Sequence, residues 1–522
     1  MKLIPNEGSM AGNYWCSWRN QRLFMPNAFF HMRQYDLPSH DIVQREMLSD
    51  AFLFGKPGVV AGYMQDVRRD MYVMLDDGWD VPYQGSYHIF GSLELSEERF
   101  PYGGRTPAEN LRLLNERVKA LGYAGTGLWV PMSCVGERPN ALFDHQTFRE
   151  YWIERAKWLH EAGIAYIKVD WGFHESDPSY RRVLTEVIKE YAPEIQVEHA
   201  TIDGMFYNPG SDSRMLAEVL SVSDVFRCYD VKFEFNAVTS LRRAYTMLTL
   251  DCEMQYNCAG IINVGEEPYL AAALGCTMGI MSHPLLRGSV ICMLPENMEN
   301  GISRGEMLKS DFHSFDHYQR ALRWQRLAPA MPYRKGETVG SDAWLEDTWT
   351  YRKEPYPYTK SDYLNKTICQ SAPQIVARNA PLPQIKEVGC VYEKQYQPYV
   401  VASINRKSGV YTIATLPRTI DGVMNCTTPA VDIEASGLSC DKCFGVFGEY
   451  KSLMLTFDRC IEGMRLYGGD LLLDDQEELS GREGVHIEGN RLTLSGELIH
   501  ALGLAGAALH DLADPGCIFR LV

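Results

Sequence analysis

The sequence lacks the features that would place the protein in a membrane or on nucleic acid. No stretch approaches about 18 uninterrupted apolar residues, so we predict no membrane-spanning helix. The first 18 residues also lack the apolar core of a secretory signal. Basic residues are outnumbered, because 51 Lys and Arg against 67 Asp and Glu give a net charge of −16. We therefore expect a cytoplasmic protein that binds neither nucleic acid nor a membrane surface.

Motifs for metals and cofactors are equally scarce. The 14 cysteines are scattered along the chain, which is typical of reduced, mostly buried thiols. The one close pair, Cys440 and Cys443, has no partner pair, whereas a zinc site needs four ligands. We interpret it as a turn between strands. No glycine-rich dinucleotide turn follows a predicted strand. The sequence thus predicts no metal and no cofactor.

What the sequence does contain is a repeated strand-then-helix pattern. Residues 126–132, "TGLWVPM", predict a strand, and residues 145–163 have the spacing of an amphipathic helix closed by Gly163. About eight such units fill the chain from residue 13 to residue 329, which implies a parallel sheet. Without a dinucleotide turn, a closed (β/α)8 TIM barrel is favoured over an open sheet.

The pattern changes after the barrel. Residues 336–400 are rich in Pro, Tyr, Thr and Lys, and from residue 401 short alternating runs dominate, separated by turn residues. The predicted fold is therefore α/β, with a (β/α)8 barrel over residues 1–335 and a linker or β-rich connection over 336–400. An antiparallel β-sandwich is expected over 401–522.

Carboxylates recur where the predicted barrel strands end. An acid in such a place often caps a helix, but the carboxyl ends of barrel strands are also where chemistry gathers. Acidic residues close to tryptophans are typical of a sugar site, because carboxylates bind hydroxyls and indole faces pack on C–H surfaces. Glycoside cleavage also needs two carboxylates that flank one bond. The candidate ligand-facing residues at these ends are Trp15, Asp76, Asp77, Trp79, Lys168, Asp170, Trp171, Glu198, His199, Asp224 and Arg227.

Three segments resemble a known family. They are "YVMLDDGW" (72–79), "YIKVD" (166–170) and "MSHPLLRGS" (281–289). These are similar to marker segments of the α-galactosidase-type clan, namely glycoside hydrolase family 27 with relatives in families 36 and 31. The resemblance implies a retaining exo-glycosidase, without cofactor, acting on galacto-configured glycosides or oligosaccharides. It also implies a catalytic barrel with a C-terminal β-sandwich. An α-N-acetylgalactosaminidase and a β-L-arabinopyranosidase are alternatives within the clan.

The resemblance assigns roles position by position. Asp170 matches the nucleophile. The general acid/base of the family lies in an Asp-Val or Asp-Ile segment on strand six, with an aromatic residue about five positions later. Asp224 fits that description, because it is followed by Val225 and by Tyr229. Asp230 is the backup candidate for the same role. The remaining matched positions are Asp76 and Asp77 for the sugar's O4 and O6, Lys168 for a neighbouring hydroxyl, and Glu198 for the lower substituents.

The sequence departs from the family at the positions around the acid/base. The family carries an arginine four residues before that residue, where Leu220 stands relative to Asp224, and Arg227 lies on the other side. Tyr229 replaces a tryptophan, and the family's Asp-Pro-Asp segment before strand eight is absent. These departures leave open what is recognised at C2 and in the aglycone sites.

Two other functions fit the same residues. Asp170, Glu198 and Asp224 on consecutive strands could bind Mg²⁺ in a lyase or racemase, with Lys168 as base. A non-catalytic carbohydrate-binding barrel is the second alternative, although it gives Asp170 and Asp224 no purpose. An aromatic-rich surface and the family's precedent leave a homo-oligomer open.

Overall fold

Eight parallel strands, β1 to β8, form a closed barrel in the computed structural model of the chain. β1 pairs with β2 on one side and with β8 on the other, with Tyr14 in register with Gly279, and this last pairing closes the cylinder. The strands are β1 Tyr14–Cys16, β2 Tyr72–Leu75, β3 Thr126–Val130, β4 Tyr166–Val169, β5 Gln196–Ala200, β6 Val225–Arg227, β7 Gly260–Asn263 and β8 Thr277–Ile280.

The structure describes most, but not all, of the chain. The described residues are 1–18, 20–21, 44–56, 58–81, 92–134, 144–200, 213–227, 237–256, 260–263, 268–281, 283–284, 315–351, 358–371, 378–379, 397–419, 426–507 and 514–522.

Helices surround the barrel and begin at polar caps that the sequence supplies. Before the second helix, the side chain of Thr106 accepts a hydrogen bond from the backbone N–H of Glu109, and Pro107 occupies the first turn. The third helix starts in the same way at Asp144. The helices are α1 Asp50–Phe54, α2 Pro107–Ala120, α3 His145–Glu161, α4 Pro178–Tyr191, α5 Ser213–Ser221, α6 Ala237–Leu248, α7 Pro268–Leu274 and α8 Phe315–Trp324, with a 3-10 helix at Gln65–Asp70.

Along each strand the side chains alternate between the barrel interior and the helix layer. On β4, Tyr166 belongs to the interior cluster, whereas Ile167 and Val169 pack in the outer core with the helices. Lys168, in phase with Tyr166, therefore points into the barrel. The buried interior apolar cluster consists of Tyr14, Cys16, Met74, Tyr166, Val225 and Met281.

The C-terminal unit is a β-sandwich of two main sheets around its own apolar core. Most strand pairs are antiparallel, but β12 with β14, β15 with β19 and β18 with β20 are parallel. The eight-stranded sheet has the order β22-β21-β25-β19-β15-β14-β12-β9, and the five-stranded sheet the order β13-β18-β20-β24-β23. Two short ribbons, β10-β11 and β16-β17, lie outside these sheets.

The bounds of these elements follow in chain order. They are β9 Thr338–Gly340, β10 Trp344–Tyr351, β11 Tyr358–Asn365, β12 Thr367–Gln370, β13 Arg378–Asn379, β14 Tyr399–Ile404, β15 Tyr411–Leu416, β16 Arg418–Thr419, β17 Cys426–Thr427, β18 Val431–Leu438, β19 Cys443–Phe447, β20 Tyr450–Phe457, β21 Leu466–Asp470, β22 Glu477–Glu478, β23 Val485–Glu488, β24 Arg491–Ser495, α9 Gly496–Gly503 and β25 Gly516–Leu521.

Several described strands between residues 336 and 400 pair with strands of the sandwich. Strands β9 and β12 pair with each other, and β12 pairs with β14 in the large sheet. Strand β13 pairs with β18 in the smaller sheet. The sheets of the sandwich therefore include described strands before residue 401, the first of which begins at Thr338.

A buried ion pair joins the barrel to the sandwich. Arg320 on α8 donates from Nε and Nη2 to the two carboxylate oxygens of Asp470 on β21, at 2.8 and 2.9 Å. Neither side chain is exposed. Trp324, one turn further along α8, donates its indole N–H to Thr412 on β15 at 2.8 Å. Such bidentate pairing fixes orientation as well as contact.

Two sequence expectations concern membranes and thiols. Among the described residues, no helix is long and apolar enough to cross a bilayer. No disulfide joins two of the cysteines that the structure describes, and most of these cysteines are buried: Cys16, Cys134, Cys252, Cys276, Cys369, Cys440, Cys443, Cys460 and Cys517.

We predict that His283 makes the fold acid-sensitive. Burial lowers the pKa of this side chain to about 4, although its hydrogen bond to the Val59 carbonyl opposes the shift. The unfolded chain binds that proton near pH 6.5, so the contribution to stability is full above pH 6.5 and is lost as the pH falls towards 4. The free energy of unfolding should drop by about 2 kcal/mol between pH 7 and pH 5 from this group.

Urea unfolding of the wild type and of His283→Gln at both pH values measures this contribution. Glutamine keeps an N–H for the Val59 carbonyl but does not titrate, so the variant should lose about 2 kcal/mol less over the same interval. Equal pH dependence in the two proteins would contradict the assignment.

Candidate active site

Asp170 lies at the carboxyl end of β4, where three donors converge on one of its oxygens. The indole Nε1 of Trp129 donates to Oδ2 at 3.2 Å. Lys168 Nζ and Arg227 Nη1 each lie 3.5 Å from the same oxygen. Among the described residues, no hydrogen bond reaches Oδ1. One carboxylate oxygen is thus held by the protein, and the other is left for a ligand.

Exposure separates this carboxylate from the groups that hold it. The Asp170 side chain is 21% exposed, whereas those of Lys168 and Arg227 are only 2% and 1% exposed. Trp171 is half-buried and packs against Trp129 with ring centroids 5.6 Å apart. Asp170 is therefore the solvent-accessible group of the site. The two cations that contact it are buried, and the indole of Trp171 lies beside it.

Lys168 links Asp170 to Asp76 across the barrel interior. Its Nζ donates to Asp76 Oδ2 at 2.6 Å, and the Cys16 thiol donates to the same oxygen at 3.1 Å. Burial and the Arg227 charge oppose protonation of Lys168, but the charges of Asp76, Cys16 and Asp170 outweigh them and raise its pKa above the ordinary value. Lys168 is consequently a permanent cation and does not fit the role of a general base.

Asp77 is buried under an arginine that the sequence did not single out. Arg45 Nη2 lies 2.7 Å from Asp77 Oδ2, and its guanidinium carbon is 5.9 Å from the ring centre of Trp171. Asp77 Oδ1 is buried and has no hydrogen-bond partner among the described residues. Burial, partly offset by Arg45, raises the pKa of Asp77 to about 7. This carboxyl can therefore either donate or accept a hydrogen bond near neutral pH.

Glu198 lies beneath the site and not on its surface. The hydroxyls of Tyr14 and Tyr166 donate to its two oxygens at 3.2 and 2.7 Å, and Arg227 Nε is 3.8 Å from Oε1. The residue is fully buried, and burial raises its pKa even though Arg227 lowers it. The expected contact of Glu198 with the sugar is thus replaced by an indirect role, since it anchors Arg227 below Asp170.

Asp224 lies at the opposite end of the barrel from Asp170. It precedes β6, its backbone N–H donates to the Val197 carbonyl at 3.0 Å, and its Oδ2 accepts from the Val197 N–H at 2.8 Å. Val197 is the second residue of β5, at the amino end of that strand. Lys189, near the end of α4, also pairs with Asp224. The predicted acid/base role for Asp224 is therefore wrong, because the parallel strands separate it from the carboxyl ends.

Three further predicted ligand contacts are also corrected, because the side chains point away from the barrel mouth or are buried. Trp15 is fully buried on the outer side of β1, with its ring 5.8 Å from that of His283. Trp79 is fully buried and donates its indole N–H to the Trp129 carbonyl at 2.8 Å. His199 faces α4 and contacts Thr185, so it lines the helix layer and not the barrel mouth. These three side chains are buried in the packing around the site and do not face the barrel mouth.

The structure brings together some expected residues and adds others. Asp170, Lys168, Asp76 and Arg227 form one connected cluster, while Trp129 and Arg45 were missed. Trp129 carried a usable signal, because it is paired in register with Lys168 on the neighbouring strand. The backup acid/base Asp230, like Tyr229, lies outside the described residues.

The three residues that the Mg²⁺ alternative requires as ligands do not lie together. It needed Asp170, Glu198 and Asp224 at one point, but Asp224 is at the amino end of the barrel, and Glu198 is enclosed by two tyrosines. Within the described part of the chain, no three side chains of the types His, Cys, Asp and Glu are grouped as a metal site would require.

Comparisons with known proteins give similarity in structure only. No family model and no curated protein sequence matches the chain. A family 27 β-L-arabinopyranosidase from Geobacillus stearothermophilus is similar over 91% of this chain and 92% of its own, at 10% identity and a TM-score of 0.38. A variant of the same enzyme, solved in complex with arabinose, is similar over 99% of this chain and 97% of its own, at 10% identity and a TM-score of 0.36.

A protein from Bacteroides fragilis assigned as an α-galactosidase/melibiase is similar over 99% of this chain and 80% of its own, at 10% identity and a TM-score of 0.34. All three TM-scores lie below 0.5, and the barrel and sandwich are established here by the hydrogen-bonded strand order of the chain itself.

Proposed function

We propose that the protein is a retaining exo-glycosidase that cleaves galacto-configured glycosides through a covalent glycosyl-aspartate on Asp170. The observation that carries the proposal is the asymmetry of this carboxylate, with Oδ2 held by Trp129, Lys168 and Arg227 and Oδ1 open at the barrel mouth. A nucleophile needs one oxygen that is aimed at the substrate and unencumbered, and here the protein's contacts are made to the other oxygen.

The charges around Asp170 suit both halves of a retaining reaction. In the first half, Oδ1 attacks the anomeric carbon while the glycosidic oxygen leaves with a proton from the general acid. In the second half, water gives a proton to the same group and displaces the aspartate, so that the carboxylate charge returns. Lys168 and Arg227 stabilise that returning charge, and Trp129 stays bonded to Oδ2 in the ester and in the free carboxylate.

Asp230 is the acid/base of this proposal, in place of Asp224. It follows the carboxyl end of β6 by three residues, whereas Asp224 precedes the amino end of that strand. Arg227, three residues before Asp230, contacts Asp170. The resembled family has an arginine four residues before its acid/base; with Asp230 in that role Arg227 stands on the same side, although at a spacing of three residues.

The recognition groups favour a neutral, hydroxyl-rich ring. Asp76 and Asp77 follow β2 next to each other, with the Asp77 N–H bonded to Asp76 Oδ1 at 2.9 Å and no described residue bonded to Asp77 Oδ1. A sugar hydroxyl can supply the missing donor. The site cluster of Asp76, Lys168, Asp170, Arg227 and Glu198 has two cations and three carboxylates, which does not require a charged substrate.

Hydrolysis of a panel of aryl glycosides tests the function. The panel contains an α-galactoside, an α-N-acetylgalactosaminide, a β-L-arabinopyranoside and an α-glucoside, each with and without EDTA. We expect turnover of at least one galacto-configured member, insensitive to EDTA, with the first-formed sugar retaining its anomeric configuration by ¹H NMR. Silence across the panel, inverted product, or activity on the α-glucoside alone would contradict the proposal.

A further inference from the structure

A buried arginine outside the barrel holds the backbone on which Asp170 is mounted. We propose that Arg181 is a positioning residue for the nucleophile and that His199 fixes Arg181 in place. The inference rests on the proposed function, because it takes Asp170 as the attacking group. Neither residue touches the space in front of Asp170, so both would act through its backbone.

Arg181 clamps the segment that carries Asp170. The residue is fully buried on α4. Its Nη2 donates to the Asp170 carbonyl at 3.3 Å, its Nη1 to the Val169 carbonyl at 3.4 Å, and its Nε to the Glu175 carbonyl at 3.0 Å. One rigid guanidinium therefore ties the end of β4 to the loop that leads into α4.

His199 completes a ring of hydrogen bonds that orients the guanidinium. Its Nδ1 lies 3.1 Å from Arg181 Nη1, and because arginine only donates, Nδ1 must accept. The proton of the neutral ring is then on Nε2, which donates to Thr185 Oγ1 at 2.7 Å. Thr185 in turn donates to the Arg181 carbonyl at 3.0 Å. The three hydrogen bonds therefore run in one sense around the ring: Arg181 donates to His199, His199 donates to Thr185, and Thr185 donates back to the Arg181 carbonyl.

The ring requires a neutral histidine beside a charged arginine. Burial and the Arg181 charge lower the pKa of His199 well below its ordinary value, and burial lowers the pKa of Arg181 to about 10. Among the described residues, no carboxylate forms an ion pair with Arg181, whose acceptors are three carbonyls and an imidazole. Within this described part of the chain, Arg181 therefore holds the backbone through hydrogen bonds and does not act as a partner in an ion pair.

The groups that face Asp170 come from several elements. Lys168 comes from β4 and Arg227 from β6, Glu198 lies below on β5, and Glu175 follows in the loop. The contacts to Oδ2, at 3.2 to 3.5 Å, are long for hydrogen bonds. The direction of Oδ1 therefore depends on where the backbone holds Cα, and a misplacement of about 1 Å can cost roughly 100-fold in rate.

A conservative pair of variants at His199 separates positioning from folding. His199→Asn keeps an acceptor oxygen near the place of Nδ1, whereas His199→Leu removes it. With the aryl glycoside that the wild type hydrolyses best, we expect His199→Leu to lower kcat by roughly 10- to 100-fold with KM changed less than about twofold. His199→Asn should retain kcat within about threefold.

Arg68→Lys is the control, because Arg68 also binds several backbone carbonyls, those of Val60, Ala61, Tyr63 and Leu121, but lies in the 3-10 helix before the amino end of β2. It should lower Tm without changing kcat. Equal kcat in His199→Leu and the wild type, or equal losses in the leucine and asparagine variants, would overturn the positioning role.

A measurement independent of turnover keeps this inference separate from the proposed function. In ¹⁵N-histidine-labelled wild type, the ring signals of His199 are assigned as those that are missing in His199→Asn. At pH 6 these signals should show a neutral ring with the proton on Nε2. A protonated ring, or a proton on Nδ1, would overturn the ring of hydrogen bonds whatever the substrate is. A neutral Nε2–H ring in a protein that turns over no glycoside would instead contradict the proposed function, and with it the positioning of a nucleophile, but would leave the ring of hydrogen bonds intact.

Discussion

Asp170→Asn should lower kcat on the best aryl glycoside by about 10⁴-fold or more while leaving KM within a few-fold. The amide has nearly the shape of the carboxylate and still offers Trp129 an acceptor, but it cannot form the glycosyl ester. Asp76 and Glu198 are not placed to take over, because Asp76 is bound to Lys168 and Glu198 is enclosed by Tyr14 and Tyr166. Steady-state kinetics with matched protein concentrations measures the loss.

Two companions make this result specific. In Asp170→Gly, added azide should restore turnover and give a glycosyl azide of inverted configuration, because the small anion fills the space of the missing carboxylate. Asp177→Asn changes an aspartate in the same loop, the cap of α4 that accepts from the Ser179 N–H. That change should cost at most about 1 kcal/mol of stability and leave kcat intact. Asp170→Asn activity within tenfold of the wild type would remove Asp170 from the mechanism.

The barrel was predictable because its signal is periodic and repeated, whereas the position of single side chains depended on details that periodicity does not give. Strand β6 contains only three residues, Val225 to Arg227. Its first and last residues are thus only about 7 Å apart, so acidic residues close together in the sequence can lie at opposite ends of the barrel. Asp224 was chosen because it matched the family's Asp-Val segment, although it stands before the strand and not after it.

The inward or outward direction of a side chain was the second unpredictable feature. Barrel strands are buried on both faces, so apolar residues fill both phases of the alternation and do not reveal which phase faces inside. Trp15 and His199 were assigned to the mouth and lie in the helix layer. Lys168 revealed its phase because a buried ammonium needs carboxylates, and Asp76 supplies one in the interior.

The sandwich was recognisable where its strands alternate and obscure where they do not. Strands β9 and β12 lie in a segment rich in polar and turn residues, and β12 pairs with β14 across a long stretch of chain. Pairing over such a distance leaves no local pattern in the sequence. The composition of residues 336–400 therefore resembled a connection, although the segment supplies strands to both sheets.

Removing the general acid should distinguish Asp230 from Asp224 in a single experiment. Asp230→Ala is expected to reduce kcat/KM by about 10³-fold for a glycoside with a poor leaving group and by much less for a dinitrophenyl glycoside, whose oxygen departs without a proton. Azide should then accelerate breakdown of the accumulated glycosyl-enzyme, since it needs no general base.

Asp224→Asn should show the opposite pattern. The carboxylate pairs with Lys189 and accepts from the Val197 N–H, so its loss should lower the free energy of unfolding by about 2 kcal/mol. Its kcat/KM should remain at the wild-type value for both leaving groups, because the change lies at the amino end of the barrel. Dependence on the leaving group in Asp224→Asn, together with normal kinetics in Asp230→Ala, would return the acid/base role to Asp224 and contradict the placement of β6.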